Sequence, residues 1–130
     1  MHINLESDYA ARIVYCLSKA SERLDAQSIA EKTCVSLRFT LKIMRKLVAA
    51  GIVRSFKGAK GGYQLARKPE AITLRQVIEA VEGPYRFSRC LDEDYSCSCS
   101  EVMGCPFHAV FDDITKTVID KLEAVTFVDL

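Results

Sequence analysis

Helical periodicity along most of the chain, two short β-prone runs around a Gly-rich gap, and a long acid-free cationic stretch predict a mainly α fold with a small β-hairpin. The expected arrangement is a winged helix-turn-helix domain over residues 1–83, a cysteine-rich loop over 84–105 and a long dimerisation helix with its tail over 106–130. The cationic stretch runs from Lys32 to Lys68 and contains no Asp or Glu.

Leu5, Tyr9, Ile13, Cys16, Leu17 and Ala20 recur at helical spacing, so Glu6 to Ala20 reads as an amphipathic helix. Cys16 lies on its apolar stripe and reads as a small core hydrophobe, while Asp8 faces away as a solvated or helix-start carboxylate. Asp25 caps a second helix that runs through Ile29 and Ala30 to Cys34, a thiol given a structural role. Ser36 is a good N-cap for a third helix, which ends at Ala50 before Gly51. On its wheel Leu37, Leu41, Met44 and Val48 form the centre of an apolar sector that Thr40 and Leu47 extend. Arg38, Lys42, Arg45 and Lys46 fall opposite. A short helix, a tight turn at Val35 and Ser36, and a helix with one apolar and one basic face make the pattern of a helix-turn-helix.

The runs Ile52 to Phe56 and Tyr63 to Leu65 flank Lys57-Gly58-Ala59-Lys60-Gly61-Gly62, which predicts a hairpin whose tip carries two lysines. No Gly-Lys-Ser/Thr ending and no following helix support a nucleotide phosphate loop. Uncompensated cations are what phosphate backbones reward, so double-stranded DNA is the expected partner. Ser36, Arg38, Phe39 and Lys42 near the helix start would approach base edges, with Arg38 the best single candidate for readout. Lys57 and Lys60 would meet flanking phosphates or the minor groove, and Thr40, Arg45, Lys46 and Arg54 complete the candidate DNA-binding set.

Thr73 caps a short helix, Leu74 to Glu82, with Val77, Ile78 and Val81 turned inward. Gly83-Pro84 then stops it, and the loop beyond crowds four of the six cysteines, Cys90, Cys97, Cys99 and Cys105, ahead of His108. Thiolates and an imidazole converging on a helix start make a plausible pocket for zinc or an iron-sulfur cluster. Beyond Pro106, Phe107, Phe111, Ile114, Val118, Leu122 and Val125 step by fours and threes, and Val110 and Ile119 add a second apolar line. One small domain can hardly cover both, so this helix is expected to pair with its copy in a homodimer.

At 130 residues and 49% hydrophobic content the chain suits one domain with an ample core. Charged Glu6, Asp8, Arg12 and Lys19 interrupt any signal-peptide pattern, and no apolar run is long enough to span a bilayer, so a cytoplasmic location without membrane contact is expected. In a reducing compartment clustered cysteines serve as ligands or redox sensors more often than as disulfides. No Cys-x-x-Cys, activated nucleophile or cofactor signature points to an enzyme.

Ile29-Ala30-Glu31, Val35-Ser36-Leu37, Gly51-Ile52-Val53, Lys57-Gly58 with Gly61-Gly62-Tyr63, Val77 to Gly83, and Cys105-x-x-His108 follow in an order that resembles the IscR/NsrR family of winged-helix transcription regulators. The likeness covers essentially the whole chain. It implies a dimeric repressor or activator whose DNA affinity is controlled by an iron-sulfur cluster sensing iron, redox or nitric oxide status. Carried over, Cys90 matches the first ligand, Cys105 the last cysteine and His108 the fourth ligand of a two-iron cluster. The middle ligand is Cys99 by family spacing or Cys97 by even division of the loop. Asp8 falls where related members take a carboxylate from the partner subunit, giving a four-iron alternative. Leu41 departs from the family pattern, standing where an acidic base-reading residue is found. Two other readings stay open: a structural zinc site, and a metal-free cysteine redox switch.

Overall fold

The computed structural model describes residues 2–98 and 104–130. Its elements are α1 (Leu5–Lys19), α2 (Ala26–Thr33), α3 (Leu37–Ala49), β1 (Val53–Phe56), β2 (Gly62–Leu65), α4 (Leu74–Glu82) and α5 (Pro106–Glu123). Short 3-10 turns lie at Pro69–Ala71 and Arg89–Leu91. The fold is mainly α with one antiparallel hairpin, as expected.

Local chemistry starts each of the first four helices. Asn4, Asp25 and Ser36 accept from the backbone N–H groups of Ser7, Ser28 and Phe39, and Thr73 forms a reciprocal capping box with Gln76. Cys34 is exposed and left-handed at φ 55°, so its role is in the backbone of the turn between α2 and α3 and not in packing.

Helix α1 lies at the centre, against α2, α3 and α4. The core joins its Ala10, Ile13, Val14 and Leu17 to Ile29, Ile43, Met44, Leu47, Ile52, Val77 and Phe127. Leu5 is not part of it: the face of α1 that approaches α4 carries small Ser7 and Ala10, leaving Leu5 57% exposed. Cys16 is half-buried, and this burial pushes its thiol pKa up.

Helix α3 is rotated relative to the expected wheel. It buries Thr40, Ile43, Met44 and Leu47, which moves the inward centre by roughly 80° at 100° per residue. Leu37 and Val48 are left 41% and 37% exposed. Hydrophobicity alone favours Leu37 and Val48 over Thr40, but α1, α2 and α4 all approach from the Thr40, Ile43 and Leu47 side.

The hairpin pairs Val53 with Leu65 and Phe56 with Gly62. It is tied to the turn after α1, where Leu24 and Tyr63 exchange backbone hydrogen bonds of 3.1 and 2.8 Å. This approach requires glycine at position 62, because a Cβ there would stand 2.8 Å from the Leu24 carbonyl oxygen and φ is +131°. The chain's end also returns to the core: Thr126 bridges to Thr73, and Phe127 is 1% exposed.

Candidate nucleic-acid interface and cysteine loop

Ser36 and the α3 N-terminus sit where the turn from α2 delivers the chain to the surface. Arg38 and Arg45 are exposed on α3, Arg54 on β1, and Lys57 and Lys60 at the hairpin tip. None of these five forms an ion pair among the described residues. Two cations that the sequence grouped with them are engaged elsewhere. Lys46 Nζ lies 2.6 Å from Glu6 Oε2 and donates to the Val81 carbonyl at 3.0 Å, while Lys42 donates to Glu6 Oε1. The paired ammonium groups, Lys42 first, lower the Glu6 pKa. Thr40 turns inward, fully buried, with an Oγ1 that has no hydrogen-bond partner. Phe39 is 39% exposed and meets Tyr9 edge-on at 5.9 Å.

Sequence reasoning passed over Glu6 and Arg23. The first is 40 residues from Lys46, and only the packing of α1 on α3 joins them. The Arg23 guanidinium lies 3.3 Å from the centroid of the Phe56 ring and donates to the Lys60 carbonyl at 3.1 Å, bracing the hairpin from behind. A lone arginine in a turn carries no local signal of that role.

In the cysteine loop, Cys90 lies in the 3-10 turn, half-buried, its Sγ 3.3 Å from the Ser88 hydroxyl. Cys97 is half-buried, and Cys105 is exposed at the N-cap of α5 without capping through its side chain. His108 follows within the same turn, its N–H bonded to the Cys105 carbonyl at 3.2 Å. Cys99 lies outside the described residues. Asp8 is on α1, paired with Arg12 at 2.5 Å. Among the described residues no three His, Cys, Asp or Glu side chains come together closely enough to hold a metal ion. Donor chemistry nonetheless suits a sulfur-rich centre: Cys90, Cys97 and Cys105 are free thiols, and Cys105 and His108 share one helical turn.

Helix α5 buries only Thr115. Phe107 and Val110 are 62% and 53% exposed, and Phe111 stacks on Phe107 at 6.1 Å and meets Phe87 at a tilt at 5.3 Å. No helix among the described residues is long and apolar enough to cross a membrane.

The family described as Rrf2, iron-dependent transcriptional regulator, matches residues 3–130. The chain belongs to this family. Protein rrf2 of Nitratidesulfovibrio vulgaris is 30% identical over 132 residues, covering 100% of this chain and 87% of the relative. Among solved structures, T. potens IscR superposes with a TM-score of 0.77 at 25% identity, over 99% of this chain and 85% of that one. CymR, titled the global cysteine regulator of B. subtilis, also gives a TM-score of 0.77, at 27% identity over 99% of this chain and 95% of that one. The chain is thus a winged-helix member of a family of transcriptional regulators.

Proposed function

We propose that this Rrf2-family protein is a dimeric, cytoplasmic regulator that grips operator DNA with α3 and the hairpin and responds to an iron-sulfur cluster held by its cysteine loop. The observation that carries the DNA half is the unpaired cationic surface of Arg38, Arg45, Arg54, Lys57 and Lys60, in a stretch without acids. The sensor half rests on the free thiols of the loop and on the likeness to IscR. Cys90, Cys105 and one of Cys97 and Cys99 would hold the cluster, with His108 or Asp8 as the fourth donor. A cluster held there would supply redox-active iron bound through thiolates.

The chain's own residues connect the loop to DNA. Residues 1–83 form the DNA-binding unit, 84–105 the sensing loop and 106–130 the dimer helix with its tail. Because Cys105 is the N-cap of α5, whatever restrains its thiol also restrains the start of that helix. Two half-sites must be met at a set spacing, so a small change in the hinge shifts affinity by the 1–3 kcal/mol typical of allosteric coupling.

A metal-free cysteine switch is the second reading. It is favoured by the likeness to CymR, titled a cysteine regulator, and by the free thiols of Cys90, Cys97 and Cys105. Anaerobic reconstitution decides between them. The cluster reading expects bound iron and sulfide, visible absorption that Cys105→Ala abolishes, and different operator affinity for loaded and stripped protein. Zinc alone would make the loop a structural site. Protein that takes up no metal, yet changes DNA affinity on thiol oxidation, would establish the metal-free switch.

A further inference from the structure

We propose that the apolar flank of α3 formed by Leu37 and Leu41 reads the 5-methyl groups of thymines next to the base contacted by Arg38. The inference deepens the DNA-binding reading and rests on it.

Ser36 is the N-cap of α3, so Leu37, Arg38 and Leu41 are the first, second and fifth residues of the helix. That end of a recognition helix is the part that meets base edges. The core takes Thr40, Ile43, Met44 and Leu47, which turns Leu37 and Leu41, one turn apart, toward the flank of the outward face. Leu37 is 41% exposed and Leu41 is half-buried. A single exposed leucine requires no explanation. Here a pair of them adjoins Arg38, within a segment holding no Asp or Glu, so the complement of this surface is a polyanion with apolar features of its own. In the major groove, the thymine methyl is the apolar group that a base pair presents. Asp, Glu, Asn and Gln are all absent from α3, and with them the side chains that pair with cytosine or adenine. Polar readout by this helix therefore favours guanine, with Arg38 at its first turn, and Leu37 and Leu41 are the aliphatic side chains beside Arg38 that can meet a methyl group.

The test begins with selection of bound duplexes from a random-sequence library by the full-length protein. In the selected half-site each thymine is then replaced by deoxyuridine, which removes the methyl and keeps the base pair. The expected result is a guanine flanked by thymine. At one or two of these thymines, deoxyuridine should weaken binding about fourfold, the size set by one methyl group returning to water. Leu37→Ala and Leu41→Ala should weaken the thymine duplex and erase its advantage over the deoxyuridine one, with thermal unfolding confirming that each variant folds. Equal affinity for thymine and deoxyuridine at every position overturns the methyl readout while leaving DNA binding intact. So does a methyl preference that both leucine variants retain. Failure to enrich any sequence removes the DNA-reading assignment itself, and the methyl readout with it.

Discussion

The Glu6 carboxylate stands 2.6 Å from the Lys46 ammonium and also accepts a hydrogen bond from Lys42. One acid from α1 thereby neutralises part of the basic face of the helix it supports. Lys42 remains half-exposed, whereas Lys46 is held to two other elements, α1 through Glu6 and α4 through the Val81 carbonyl. Glu6→Gln should strengthen binding to all duplexes alike and steepen the salt dependence by about one counterion, because Lys42 is freed for phosphate. Titrations at two salt concentrations check this, and an unchanged slope would place Lys42 away from the backbone.

The same clamp has a pH signature. A carboxyl whose folded pKa is lowered adds stability that is complete above its unfolded pKa and is lost as pH falls through the folded value. Glu6 is such a group, held down by Lys42 and then by Lys46. Its partners are solvent-screened, the Lys42 and Lys46 side chains being 52% and 35% exposed, so the contribution should be no more than about 1 kcal/mol. Asp25, Asp112 and Asp129 are lowered too, each by local hydrogen bonds, so the whole protein should lose stability on acidification. Melting between about pH 6 and about pH 3 should show wild type and Glu6→Gln converging, as the ordinary glutamate range is crossed.

Arg38 and the hairpin lysines should separate cleanly in binding assays. Arg38→Ala should relax sequence preference at the guanine it is proposed to contact, at a cost of about 1–3 kcal/mol. Lys57→Ala and Lys60→Ala should weaken all duplexes uniformly and lower the salt slope by about one each. A uniform loss for Arg38→Ala would show that it touches only phosphate.

Phe127 is 1% exposed and belongs to the same buried cluster as Ile72, Val77 and the core residues of α1. Its backbone N–H reaches the Pro69 and Ile72 carbonyls at 3.3 Å. Phe127→Ala should cost about 3–5 kcal/mol of stability, measured by denaturant unfolding, with DNA affinity lost only as the protein unfolds. A cost below about 1 kcal/mol would show that the tail is not part of the core.

Caps and turns were the parts of the fold most legible in the sequence. Asp25, Ser36, Thr73 and the Lys57 to Gly62 turn act through neighbours within a few positions, so their meaning survives without tertiary information. Which face a helix buries is set by what packs against it, and there the reading failed for Leu5 and for the Leu37–Val48 line of α3. Both errors weight side-chain hydrophobicity over backbone proximity: Ser7 and Thr40 are buried because α4, α1 and α2 come close at those positions. The site divides along the same line. Exposed Arg38, Arg45 and Lys57 follow from an acid-free segment, whereas the capture of Lys42 and Lys46 by Glu6 depends on residues 36 and 40 positions away.

Helix α5 presents Phe107 and Val110 to solvent, while Phe111, Ile114, Val118 and Leu122 are only partly covered. An apolar surface of this kind on an 18-residue helix is ordinarily an interface. The double substitution Phe107→Asp with Val110→Asp would place two carboxylates at the exposed end of that seam. It should shift the proposed dimer to monomer in sedimentation while leaving the buried core, and so the helical content, intact. Operator affinity should fall far more than affinity for a single half-site, because the paired arrangement converts the second contact into an intramolecular one. A dimer that survives both substitutions would place the subunit interface elsewhere on the molecule.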